Sequence, residues 1–146
     1  MLFSMLADAL LNTSSDAFVA SDTDGIIQYW NPGAERIFGY TNNEAIGKSL
    51  DIIIPERLRA RHWQGYRHVI ATGESRYGHG DVLAVPGIRK DGKGVSLEFT
   101  IIPIRDETSR MIGIVAIIRD VTTRFEEMRA LKRKIAEAKA AKLMHT

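Results

Sequence analysis

The chain contains no cysteine. That excludes a disulfide framework, a Cys-ligated zinc or iron–sulfur centre, and any flavin or chromophore attached through sulfur. No one sign of charge dominates either. Twenty basic and 18 acidic residues leave a net +2, too balanced for a nucleic-acid surface over the whole domain. The basic excess gathers in Arg129, Lys132, Arg133, Lys134, Lys139 and Lys142, where Glu126, Glu127 and Glu137 interleave as on a solvated helix face. No segment approaches the roughly 20 apolar residues of a membrane span. The apolar start Met1–Leu11 is interrupted by Asp8 and has no basic stretch before it, so no signal peptide is expected and the cytoplasm is the expected location. Catalytic constellations are missing too. There is no Ser–His–acid order and no phosphate-cradling glycine loop, and His62 and His68 stand too far apart for two metal ligands on one helical face. An enzyme in its own right is not expected.

What is present is the composition of one globular domain, 45% hydrophobic and 26% charged over 146 residues, with material for one core. Residues 2–12 are good helix formers, apolar on most faces. Ala17–Ser21 and Ile26–Trp30 read as strands joined through the turn Asp22-Thr23-Asp24-Gly25. Asn31-Pro32 ends the second strand and opens a helix, with Asn31 as N-cap, Pro32 in the first turn and Gly39 as the stop. Thr41 or Asn42 caps a short helix that Gly47 ends. Leu50–Ile54 is apolar and expected to be buried. From Pro55 a helix runs to about Thr72-Gly73.

Three strands follow. The first is expected over Asp81–Ile88, at an edge because of Pro86. The second, Val95–Arg105, turns Val95, Leu97, Phe99 and Ile101 to one face. The third, Met111–Val121, is almost continuously apolar and belongs in the middle of a sheet. From Thr122 the period becomes helical. Phe125, Met128, Leu131, Ile135 and Ala138 form a seam of coiled-coil spacing that runs to the chain end without a stop signal, which suggests a longer helix. The order predicts an α+β domain: a five-stranded antiparallel sheet with helices on one face. The divisions are an N-terminal amphipathic helix (1–12), a sensor-type domain (13–121) and a C-terminal helix (122–146).

These pieces resemble the PAS family: Asp24-Gly25, Asn31, Ala34-Glu35, Phe38-Gly39-Tyr40, Glu44, Gly47-Lys48, Pro55-Glu56, Arg89-Lys90-Asp91-Gly92 and Arg119-Asp120-Val121-Thr122 with Arg124. The resemblance spans about residues 12–124. It implies a sensory module of bacterial signalling proteins that dimerises, binds a small ligand or cofactor on the helix-lined side of the sheet, and signals through its C-terminal helix. The implied output is an effector domain beyond that helix: a kinase, a cyclic-di-nucleotide enzyme or a transcription regulator. Asp120 and Thr122 are the implied relay, with Asp120 accepting hydrogen bonds from the turn and Thr122 or Thr123 capping the outgoing helix.

The run from Pro55 to His62 is also similar to the long helix of heme PAS oxygen sensors, which implies heme as a cofactor and His62 as its iron ligand. Neutral imidazole suits that role. Where such sensors place an Arg, this chain reads Gly78-His79-Gly80-Asp81-Val82-Leu83, leaving His79 as the imidazole on that side. Tyr66, Trp30, Phe38 and Leu83 are the accompanying expected pocket residues, for heme or for a small organic ligand. Phe3, Leu6 and Leu10 of the first helix, with Phe125, Met128, Leu131 and Ile135 of the last, are the expected homodimer contacts. The first helix is expected to pack across the sheet or on its counterpart in the partner. Beside the ligand-binding reading stands a module with a filled core that only dimerises and relays.

Overall fold

The structure, a computed structural model, describes residues 1–74 and 84–145. Alternation builds its first strand. In β1 (Ala17–Asp22), Ala17, Val19 and Ser21 are buried, while Phe18, Ala20 and Asp22 are half-buried on the opposite face. The turn through Gly25, at φ 76°, returns the chain as β2 (Ile27–Trp30). Beyond the helices come β3 (Val85–Ile88), β4 (Gly94–Arg105) and β5 (Met111–Asp120). All pairings are antiparallel and the order is β2-β1-β5-β4-β3. The nearly unbroken apolar β5 is the middle strand, hydrogen-bonded on both sides, with Gly113, Ile114 and Ile118 buried and Ile112 47% exposed. Pro86 lies on the edge strand, where its missing N–H costs no ladder bond. The expected start of that strand, Asp81–Leu83, lies outside the described residues.

The connection from one edge of the sheet to the other carries the helices across one face. These are α2 (Pro32–Phe38), α3 (Asn42–Ala45), two 3-10 turns at Leu50–Ile53 and Glu56–Leu58, and α4 (Arg59–Thr72). Their inward residues Ala34, Ile37, Phe38, Tyr66 and Val69 join Val19, Ile27, Trp30, Val95, Leu97, Ile114 and Ile118 in one core. The caps follow the sequence. Asn31 accepts from the Ala34 amide, Gly39 closes α2 in the left-handed region, and Thr41 and Glu44 form a reciprocal capping box.

Asn31 does more than cap. It is 1% exposed, its Oδ1 also accepts from the Phe18 amide at 2.8 Å, and its Nδ2 donates to Thr13 O and Asp16 O at 3.0 and 2.9 Å. Every polar position of this amide is used. It thereby joins the entry to β1, β1 itself and the start of α2.

One expectation is narrowed, since of the two packings expected for the first helix only the one on its own sheet is excluded, and one is revised. The first helix, α1 (Leu2–Leu11), does not lie across its own sheet. None of its residues is buried, and Phe3 is 86% exposed. Its last residue is tied to the domain by the Tyr29 hydroxyl, which donates to Leu11 O. In α5 (Thr122–Met144), neither Thr122 nor Thr123 is the cap. Val121 holds that position without a side-chain bond, because Thr122 is already the first helical residue and its hydroxyl is engaged elsewhere.

Candidate functional site

Residues four apart on a helix share a face, so α4 presents His62 and Tyr66 together, with Val69 one turn further on. The helix is anchored by polar hooks. Arg59 donates to Ile54 O and Asp51 O, at 3.1 and 3.2 Å. The Trp63 indole N–H donates to Asp51 Oδ1 at 2.7 Å. Its ring lies so close to the β1–β2 turn that a Cβ on Gly25 would come within 2.1 Å of it. The glycine therefore serves both the left-handed turn and the seat of the indole. Tyr66 spans the core to β1, where its hydroxyl donates to Asp22 O. With its single proton so committed, the Tyr66 oxygen accepts from the Ser21 hydroxyl at 2.9 Å. Burial raises the Tyr66 phenol above its usual pKa, the Asp22 and Asp24 charges add to that, and the Ser21 bond opposes it.

His62 is the exception among these hooks. Its ring packs at 4.8 Å from Trp63 and 5.9 Å from Tyr66. Its Nδ1 is shielded from solvent and has no hydrogen-bond partner among the described residues. Burial holds the imidazole below its ordinary pKa of 6.5, against the pull of the Asp51 carboxylate, so the ring is neutral at physiological pH. A neutral, half-buried imidazole with an unmet nitrogen fits a metal or a hydrogen-bonding ligand by its chemistry. One such donor suits an iron that brings its own macrocycle. Among the described residues there is no cluster of three or more His, Asp or Glu able to hold a bare ion.

Two groups of aromatic contacts stand beside the sheet. His62, Trp63 and Tyr66 form one. Trp30 forms the other with Phe38 and Tyr40, at 5.5 and 6.4 Å. Trp30 and Phe38 are fully buried and the Trp30 indole N–H is satisfied by Tyr40 O, so this group is filled core. Two shallow clefts open to solvent. One, of about 280 Å3, is lined by Thr23, Asp24, Trp63, Tyr66 and Arg67; the other, of about 340 Å3, by Phe38, Gly39, Arg89, Lys90 and Asp91. Leu83 and His79 lie outside the described residues.

At the other end of the sheet, Asp120 Oδ1 accepts from both the amide and the hydroxyl of Thr122, at 2.9 and 2.6 Å. The Thr122 oxygen accepts in turn from the Ser96 amide of β4 at 3.0 Å, and the Val121 amide donates to Ser96 O. Arg124 pairs with Glu98. The first turn of α5 is thus tied to β4 on several sides. Beyond that turn, Phe125, Met128, Leu131 and Ile135 are between 38 and 53% exposed. Sequence reasoning missed Ser21, Asp51 and Ser96. The one local signal was Ser21, a hydroxyl at an inward position of an otherwise apolar strand.

A family model described as the PAS fold matches residues 11–126. The sensor protein FixL of Bradyrhizobium diazoefficiens is 36% identical over 93 residues, 64% of this chain and 18% of the relative. The oxygen sensor protein DosP of Escherichia coli is 28% identical over 114 residues, 78% of this chain and 14% of the relative. The chain therefore spans less than a fifth of either protein. A solved PAS domain from Colwellia psychrerythraea superposes with a TM-score of 0.72 at 24% identity, covering 84% of this chain and 99% of that one, a likeness of fold alone.

Proposed function

The chain belongs to the PAS family of sensor domains, and from that premise we propose that it binds a small ligand or cofactor between α4 and the sheet and signals through α5. The observation that carries this reading is the unmet Nδ1 of His62. A buried polar atom without a partner costs about 1–3 kcal/mol, a cost that a ligand meeting it would remove. Heme is the specific ligand we favour, with His62 holding the iron and Tyr66 beside it. When bound, heme supplies an iron centre able to take up gas ligands. The protein's own part is to keep the imidazole neutral and aimed from a helix fixed by Trp63 and Tyr66. The similarity to a relative named as an oxygen sensor supports the same reading.

The output side is argued from exposure. Leu6 and Leu10 of α1, with Phe3, and the stripe Phe125, Met128, Leu131 and Ile135 of α5 are apolar surfaces that a homodimer would cover. We place the effector beyond α5, in the larger protein that the short coverage of the relatives suggests. A second reading, dimerisation and relay with no ligand, is favoured by the filled Trp30–Phe38 core. Absorption spectra decide between them. A blue-violet band on adding hemin, shifted or lost in His62→Ala, is the expected result. A spectrum of Trp and Tyr alone, unchanged by hemin, removes heme and leaves organic ligands or the relay.

A further inference from the structure

Ser21 is out of place by the rules of an apolar core. It sits 5% exposed on the inward face of β1, where alternation calls for an aliphatic side chain, and only Asn31 joins it as a buried polar residue among those described. Its hydroxyl donates to Tyr66, whose own proton goes to the neighbouring Asp22 carbonyl. The pair closes a bond between residues 45 apart in sequence and ties α4 to the last two residues of β1.

Three features meet at that point. The β1–β2 register shifts between Ala20 and Ser21. Ser21 pairs with Ile114 of the central strand β5. Gly113 of β5 leaves no slack, since a Cβ there would stand 2.2 Å from Ser21 O. One turn before Tyr66, on the same face of α4, is His62.

We infer that Tyr66 is a positioning residue, which sets the direction of His62 and passes any change at that imidazole to β5 through Ser21. The inference rests on the reading that the His62 face receives the signal, but it does not depend on which ligand arrives. Tightly packed interiors transmit displacement and do not absorb it. A shift of α4 at Tyr66 moves Ser21 and Asp22, and the close approach at Gly113 hands that movement to β5, whose far end is Asp120 and the root of α5.

The test needs no ligand. His62→Gln serves as the perturbation, and amide hydrogen exchange is read at Gly113–Ala116 and at Thr122–Arg124, in the wild-type, Tyr66→Phe and Ser21→Ala backgrounds. The expected result is a change of about threefold or more in the wild type, reduced to less than half of that in either background and retained in Ser21→Thr, which keeps the hydroxyl. Exchange at Lys90–Gly92 should stay constant throughout. Should Tyr66→Phe fail to fold, Ser21→Ala carries the cycle. An equal His62→Gln effect in all backgrounds, or none at β5 in the wild type, overturns the inference. A failed hemin titration with the coupling intact counts against heme alone. Hemin bound at His62 without the coupling counts against the Tyr66–Ser21 route alone.

Discussion

Asn31 and His62 are both polar side chains turned inward, and they have opposite surroundings. Asn31 has two donors and two accepted bonds, all to backbone, at the corner where β1, α2 and the chain entry meet. His62 sits between two anchored aromatics, and its Nδ1 has no partner among the described residues. Complete satisfaction is what a structural joint needs, because each unmet group would cost stability. An unmet group held in a rigid frame is what a receptor needs, because the frame bears the cost until a ligand arrives. The exposed stripe of α5 is the apolar counterpart of His62, a surface that the proposed homodimer would cover.

The comparison is sharpest at Asn31. Asn31→Leu strands the Phe18 and Ala34 amides and two carbonyls, and should cost about 3 kcal/mol or more in urea unfolding. A cost below about 1 kcal/mol would show that water replaces the amide there and that satisfaction does not define the joint.

Next in size is the α5 stripe. Phe125→Asp with Met128→Asp should weaken self-association by about tenfold or more in sedimentation while leaving the fold intact, since α5 has no buried residue. Unchanged sedimentation would move the interface elsewhere.

His62→Leu should go the other way from Asn31→Leu. Removing a buried polar atom without a partner among the described residues should leave stability unchanged or raise it by up to about 1 kcal/mol. The sign with pH follows. The folded imidazole lies below 6.5, so the unfolded chain takes up a proton that the fold refuses. Wild-type stability should therefore fall as pH drops below about 6.5, and this part of the loss should be missing in His62→Leu. A destabilised Leu variant would mean that the nitrogen has a partner in solution.

The smallest effect belongs to the surface clasp between α3 and the β3–β4 turn, where Lys90 pairs with Glu44. The Lys90 bond, then the Thr41 amide, lower the Glu44 carboxyl from 4.5 to about 2. A depressed carboxylate stabilises above its unfolded pKa, so the contribution is present above about 4.5 and is lost as pH falls toward 2. Acid unfolding of Lys90→Met should show a shallower loss across that window. The exposure of the pair keeps the difference slight.

How much of this could be read from the residues depends on the distance between partners. Strand alternation, the Asn31-Pro32 helix start, the Gly39 stop and the apolar β5 are local signals, and the fold follows them. His62 and Tyr66 could be placed on one face because four residues separate them. What lies on the other side of that face could not. Ser21 and Tyr66 are 45 residues apart, and a lone serine in a strand does not announce a tyrosine on a helix. The Thr122 hydroxyl failed as an expected cap for the same reason. Its partner, the Ser96 amide, is 26 residues back on β4, and that tertiary contact took the oxygen that a local rule had assigned to the helix end. Trp63 was legible as apolar, whereas its indole bond to Asp51 depended on how the 3-10 turn before α4 folds back.

One consequence comes from the register of β1 against β5. Ala17 pairs with Ile118, and Asp16 bonds Arg119 at 3.2 Å, so the strand that begins the sheet and the strand that ends it meet at the same margin. Traffic enters and leaves this domain by one door. A module with adjacent entry and exit can be spliced into a longer polypeptide, or repeated along one, without stretching what flanks it. Any twist that the sheet imparts to the outgoing helix is delivered next to the incoming one, so neighbouring modules in such an array would share a common pivot.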